Sequence, residues 1–123
     1  MPAPSKLVVQ TIKDVTCVTF ADASIVDAQL IDSIKKELFE LVDKQNRRKM
    51  ILDMSKVQYL SSSALGVLIP LNEKIISLKG ILFLCGVNAD ILKVFKITKL
   101  DKIFKFRKTE GEALAELGVT GTA

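Results

Sequence analysis

The chain of 123 residues has no histidine, no tryptophan, one tyrosine, two cysteines and three prolines. Each scarcity removes a class of function. Without an imidazole there is no Ser-His-Asp or Cys-His catalytic arrangement and no zinc site built on histidine. Two separated cysteines, Cys17 and Cys85, cannot supply the four ligands of a structural zinc. Each sits in an apolar, strand-like run, which favours buried free thiols over a disulfide. No Walker-type phosphate loop and no dinucleotide glycine fingerprint is found. The residues therefore point to no catalytic group, no metal and no cofactor, and the expectation is a protein that is not an enzyme. Long apolar runs are missing as well. The run from Ala64 to Leu71 falls far short of the ~20 residues needed to cross a bilayer, so no membrane span is expected. The opening "MPAPSKL" lacks the apolar core of a secretory signal, and a cytoplasmic location is expected.

What is present is ordinary globular material, 49% hydrophobic and 26% charged, with a formal net charge of +4. One domain over residues 1–123 is expected, since the length suits one core and no linker or repeat divides it. Residues 7–12 and 15–20 read as β-strands joined by a tight turn at Lys13-Asp14. From about residue 27 to 43, Leu30, Ile31, Ile34, Leu38, Leu41 and Val42 fall on one helical face. "MILDM" and "GILFLCGV" read as buried strands, and between them a helix spans about 62–78 and stops at Gly80. Asn88 is placed to cap a short helix, "KIFKF" returns to strand alternation, and Thr109 and Glu112 stand in capping-box register for a last helix. Strands alternating with helices imply an α/β sheet with helical cover.

The segment "VQYLSSSALGVLIPL" carries three serines at the foot of an apolar helix. One serine is explained as an N-cap, worth about 1 kcal/mol. The amides and dipole at the same helix end also form an anion site, where a phosphate of about −1.5 to −2 charge would be favoured. Both the bland cap and the phosphorylation switch stay open on these residues alone. The apolar turns that follow need cover on every side, from neighbouring helices or from a partner.

"ILDMSKVQYLSSSALGVL" resembles the signature of STAS domains, specifically the bacterial anti-sigma factor antagonists, and the resemblance continues through "GILFLCGVNADILKVFKITKLDKIFKFRKTEGEAL". It implies a four- or five-stranded mixed sheet with about four helices packed mainly on one side. Matched position by position, Ser62 falls on the serine that a partner kinase phosphorylates. Ser63 falls on the adjacent Ser/Thr, Asp53 on the aspartate of the preceding strand and Asp27 on the helix-opening aspartate near the phosphoserine. Ala64, Leu65, Gly66, Val67 and Leu68 fall on the start of the partner-contacting helix. Two positions depart from the pattern: Ser61 replaces the aspartate before the phosphorylated serine, and Ala64 replaces the glycine after the serine pair.

The function implied is that of a regulatory protein that binds an anti-sigma factor/serine protein kinase and is switched by phosphorylation at Ser62. A serine phosphatase is a second candidate partner, and the expected state is a monomer or weak dimer. The alternative is an unphosphorylated STAS scaffold or signalling module. Nucleic-acid binding is the weaker reading of Lys93, Lys96, Lys99, Lys102, Lys105, Arg107 and Lys108, because a basic run is more often a solvated face and one tyrosine offers little stacking.

Overall fold

The two-residue link Lys13-Asp14 folds the first period-two segments into a hairpin, β1 (Leu7–Ile12) antiparallel to β2 (Val15–Phe20). The computed structural model describes residues 7–118 except Asn46. After β2 come β3 (Ser24–Ile25), α1 (Ala28–Asp43), β4 (Lys49–Asp53), β5 (Tyr59–Leu60), α2 (Ser62–Ser77), β6 (Ile81–Cys85), α3 (Ala89–Ile97), a 3-10 turn (Leu100–Lys102), β7 (Lys105–Arg107) and α4 (Glu110–Glu116). A five-stranded sheet has the order β1-β2-β4-β6-β7, in which β2, β4, β6 and β7 run parallel. The mixed sheet and four helices agree with the architecture implied by the sequence. β3 and β5 form a separate parallel ladder of two residue pairs.

The helices divide unequally between the faces of the sheet. On one face Val18, Phe20, Met50, Leu52, Leu82 and Leu84 join the inner stripes of α1, α2 and α3 in the main core. On the other, Val15, Cys17, Ile51, Phe83 and Cys85 are covered by α4 through Ala113, with Leu114 and Leu117 packed alongside. Alternation along each strand explains the split, because successive side chains point to opposite faces. The α1 stripe of Ile31, Ile34, Leu38, Leu41 and Val42 is buried as its spacing predicts. α1 is further pinned to α2 by Lys74, whose ammonium donates to Asp43 at 3.1 Å and lies 5.2 Å from the Phe39 ring centre. Cys17 and Cys85 are free and buried, and burial foremost pushes their thiols up to about 11 and about 12, so they are poor nucleophiles.

Three local expectations need correction. The helix before β6 ends at Ser77, and the residue that turns left-handed is Lys79, with φ 62°, rather than Gly80. The Lys79 amide donates to Ile76 at 2.8 Å and the Gly80 amide to Ile75 at 2.8 Å, the paired bonds of a Schellman ending. Gly80 is required for another reason: a Cβ built there would lie 2.1 Å from the Arg48 carbonyl oxygen. The "KIFKF" strand begins only at Lys105, because Ile103 completes the 3-10 turn by donating to the Leu100 carbonyl at 3.0 Å. At α4, Thr109 accepts from the Glu112 amide at 3.1 Å as the capping register predicts. The Glu112 carboxylate, however, accepts from the Lys108 amide one residue before the cap. A two-pronged Arg107–Glu116 pair at 2.6 and 2.5 Å closes α4 onto β7.

Gly80→Ala is expected to destabilise the fold by at least about 1–3 kcal/mol, since backbone must move to admit the methyl. A lowered denaturation midpoint with an unchanged slope checks this.

Candidate functional site

The site grows from the small β3–β5 ladder. Ser24 pairs with Tyr59 and Ile25 with Leu60, and the Ser61 amide donates to the Ile25 carbonyl at 3.1 Å. Two residues beyond the last pair stand Asp27 on one segment and Ser62 on the other. Because each segment turns at once into a helix, the N-termini of α1 and α2 emerge side by side. Asp27 caps α1, its Oδ2 accepting from the Leu30 amide at 3.0 Å, and Ser61 caps α2, its Oγ accepting from the Ala64 amide at 3.2 Å. The first turn of α2 contains no acidic residue.

With Ser61 occupied as the cap, Ser62 and Ser63 are left exposed in the first turn. Among the described residues no hydrogen bond engages either hydroxyl. The arrangement can receive an anion: amide N–H groups of a first helical turn and the positive end of its dipole favour negative charge there. It offers little to a small molecule. The small space lined by Phe20, Ile25, Met54, Ala64 and Leu68 among others is apolar and holds about 10 Å³, at most one water.

Of the five residues matched to the partner-contacting helix, four are turned the other way. Ala64, Leu65, Val67 and Leu68 are buried in the main core, and only Gly66 is exposed. The cover that the apolar run requires comes from the sheet and α1, not from a partner. The buried positions 64, 65, 67, 68, 71, 72 and 75 of α2 form one inward stripe. Ser62 and Gly66, one turn apart, share its outward side, with Ile69 and Pro70 half-buried beside them. A Cβ at Gly66 would meet nothing within 4 Å, so the surface there is open.

Asp53 is not brought to this site. It shares a face of β4 with Ile51, on the α4 side of the sheet, while α1 and α2 pack on the opposite side. Its Oδ1 accepts from the Ser55 amide at 3.0 Å, and its charge acts on Cys17, Cys85 and Glu110. Burial first, and the Asp53 charge second, push the Glu110 carboxyl above its ordinary range, against a smaller opposing effect of the Cys17 thiol donating to it.

Two residues not singled out by sequence border the serines. Val26 is 55% and Tyr59 63% exposed; Tyr59 pairs with Ser24 in the β3–β5 ladder, and Val26 follows β3 directly. The available signal was their position, one before the Asp27 cap and two before the Ser61 cap.

This fold is that of a recognised class. The signature of the STAS domain matches residues 6–113, and the chain belongs to the STAS domain family. Among its relatives is a Thermotoga neapolitana protein assigned to the anti-sigma factor antagonists, 32% identical over 83 residues, 68% of this chain and 74% of that one. The anti-sigma F factor antagonist of Paenibacillus polymyxa is 26% identical over 93 residues, 76% of this chain and 80% of that one. A crystal structure of a Thermotoga maritima protein ascribed to the same antagonists superposes with a TM-score of 0.80 at 26% identity, covering 91% and 94% of the two chains. The unphosphorylated form of the antagonist SpoIIAA superposes at 0.73 with 13% identity, covering 93% and 99%, a likeness of fold alone. The protein is an anti-sigma factor antagonist-like STAS domain. No helix among the described residues is long and apolar enough to cross a membrane.

Ser61→Ala is expected to cost about 1 kcal/mol through loss of the cap. Ser62→Ala should stay within about 0.5 kcal/mol of the parent, since its hydroxyl makes no such bond. Chemical denaturation of the pair measures the difference. Because the folded state holds the Glu110 proton more tightly than the unfolded chain does, Glu110 withdraws stability as pH rises from the ordinary carboxylate range through its raised value. Glu110→Gln should therefore be more stable than the parent at neutral pH, with the difference vanishing in acid, as read from melting curves across pH.

Proposed function

We propose that the protein is a non-catalytic regulator that docks through the paired N-termini of α1 and α2 on an anti-sigma factor with serine kinase activity, and that phosphate on Ser62 reverses docking. The observation that carries this reading is the division of labour among the serines: Ser61 is held in the cap, while the Ser62 hydroxyl is exposed and unengaged in the first turn. Assignment of sequence relatives to the anti-sigma factor antagonists supports the choice of partner. The docking surface includes the exposed residues Val26, Tyr59, Ser62, Ser63 and Gly66, rather than the buried Leu65, Val67 and Leu68.

The switch follows from electrostatics at a contact. Unmodified, Ser62 presents a neutral hydroxyl beside Gly66, where a partner backbone can approach closely. A phosphate there brings a charge of about −1.5 to −2 into the interface, beside the Asp27 carboxylate, and an unpaired interfacial charge costs several kcal/mol. The helix amides favour the phosphate in the free protein, so the modified form is stabilised apart from its partner. Replacement of the family aspartate by Ser61 removes a negative charge next to the acceptor and bears on which kinase recognises it.

Incubation with the bound kinase and ATP is expected to place one phosphate on Ser62, located by mass spectrometry, and Ser62→Ala to abolish it. Ser62→Asp should weaken kinase binding at least about tenfold, and Tyr59→Ala should do so without a change in folding stability, because the exposed ring would be buried only by the partner. Native protein carrying no phosphate, together with undiminished binding by Ser62→Asp, would instead select the unphosphorylated scaffold.

A further inference from the structure

The two edges of the main sheet are finished differently. β7 is three residues long, Lys105, Phe106 and Arg107, and its cations and brevity discourage another strand from pairing with it. β1, at the other edge, is six residues long, LVVQTI, with no charge, no proline and an unbroken register against β2. Val8 is 50% and Val9 39% exposed there. An edge strand of that kind, without a protective device among the described residues, is a template for pairing.

The hairpin fixes which backbone groups are free. Ile12 and Val15 flank a two-residue turn and so exchange hydrogen bonds with each other, as do Gln10 with Cys17 and Val8 with Thr19. Leu7, Val9 and Thr11 are the alternate residues, and their N–H and C=O groups point away from β2 along the open edge. This set is complementary to itself. Antiparallel pairing of two copies about a two-fold axis at Val9 sets Leu7 opposite Thr11, Val9 opposite Val9, and Thr11 opposite Leu7. All three pairs can then exchange backbone bonds. The axis stands perpendicular to the sheet, so like faces stay on the same side, Val9 meets Val9 and Val8 meets Gln10. The uncharged strand places no like charges opposite one another, a condition that a net charge of +4 makes hard to meet elsewhere on the surface.

We propose that β1 is a self-association surface, and that its occupant is β1 of a second copy, giving a closed dimer with one continuous sheet and Val9 on the two-fold axis. Blunting of β7 stops the assembly at two. The axis sets the Ser62 sites at opposite ends of the joint sheet, leaving both open to partners.

Sedimentation equilibrium of the full chain tests the proposal, because the outward N–H of Val9 makes an informative variant possible. Proline is tolerated on an edge strand where the N–H faces outward, so Val9→Pro leaves the β1–β2 ladder intact and removes a donor from the dimer. The parent is expected to shift from monomer to dimer as concentration rises. Val9→Pro should remain monomeric over the same range with an unchanged circular dichroism spectrum. Directly opposed residues that exchange bonds lie about 5.5 Å apart at Cα, within disulfide reach. Val9→Cys should therefore cross-link under mild oxidation and Gln10→Cys should not. The buried native thiols, with pKa values pushed up to about 11 and about 12, stay unreactive. A parent that is monomeric throughout, a Val9→Pro variant that dimerises equally, growth beyond two copies, or cross-linking through Gln10→Cys in place of Val9→Cys would each overturn the proposal.

Discussion

The inward stripe of α2 governs the rest of the molecule. Leu65, Leu68, Leu71 and Ile75 are each almost wholly buried, and burial of such side chains contributes roughly 1.5–3 kcal/mol apiece, about 6–12 together. A cap contributes about 1 kcal/mol and an exposed ion pair less. Rotation of α2 about its axis is therefore set by the core, and what faces outward follows from what must face inward. Ser62 and Gly66 are outward because Leu65 and Leu68 are not. The proposed docking face is a consequence of packing on the opposite side of the same helix.

The β3–β5 ladder has the reverse character, small in energy and large in position. Two residue pairs and the Ser61–Ile25 bond at 3.1 Å contribute little beside the core, at about 0.5–1.5 kcal/mol per bond. Yet they align two helix starts whose positive dipole ends repel one another weakly and jointly favour an anion. The caps respond to this in different ways. Asp27 brings a full negative charge and Ser61 a neutral oxygen, so the mouth keeps one carboxylate rather than the two that the family pattern would give. A charge added at Ser62 is thus felt against a less negative background, which shifts the balance between holding the phosphate and repelling it.

The legible parts of the sequence were those where one local rule and the core agree. α1 could be read from its stripe and its Asp27 cap, α3 from Asn88, whose Oδ1 accepts from the Ile91 amide at 2.8 Å, and β1 and β2 from alternation about a turn. The serine roles separated correctly into cap and exposed hydroxyl only in the structure, since three adjacent serines satisfy the same capping rule. The inward direction of Ala64 to Leu68 was hidden because Gly66, Ile69 and Pro70 make the outer side apolar too, so no polar stripe marks the solvent face. Asp53 was misplaced for want of a face assignment: a five-residue strand buried on both sides does not announce which alternate residues meet which layer. Lys79 takes the left-handed turn at a cost of about 1–2 kcal/mol that sequence rules would assign to the neighbouring glycine. Gly80 answers a different constraint, since a Cβ there would run into the Arg48 carbonyl.

The two layers of the fold differ in ways that keep association and switching apart. Three helices and the larger core hold the Ser62 mouth, whereas α4, only seven residues long, covers the second face through Ala113 and the Arg107–Glu116 pair. Glu110 and Glu116 sit on that short helix with displacements in opposite directions, raised by burial and lowered by the arginine. Acid strengthens the hold of the first and weakens that of the second, so the two carboxylates of α4 respond to acid in opposite directions. At the mouth, Ser61 and Ser62 carry hydroxyls that do not titrate. Pairing through β1 uses backbone groups, which do not titrate either. A dimer joined there would present two mouths facing opposite ways on a continuous sheet, and a bivalent partner could engage both only by spanning the sheet. Linkage between the mouths would then act through effective concentration rather than through movement of the fold, and phosphate on one copy would leave the other competent.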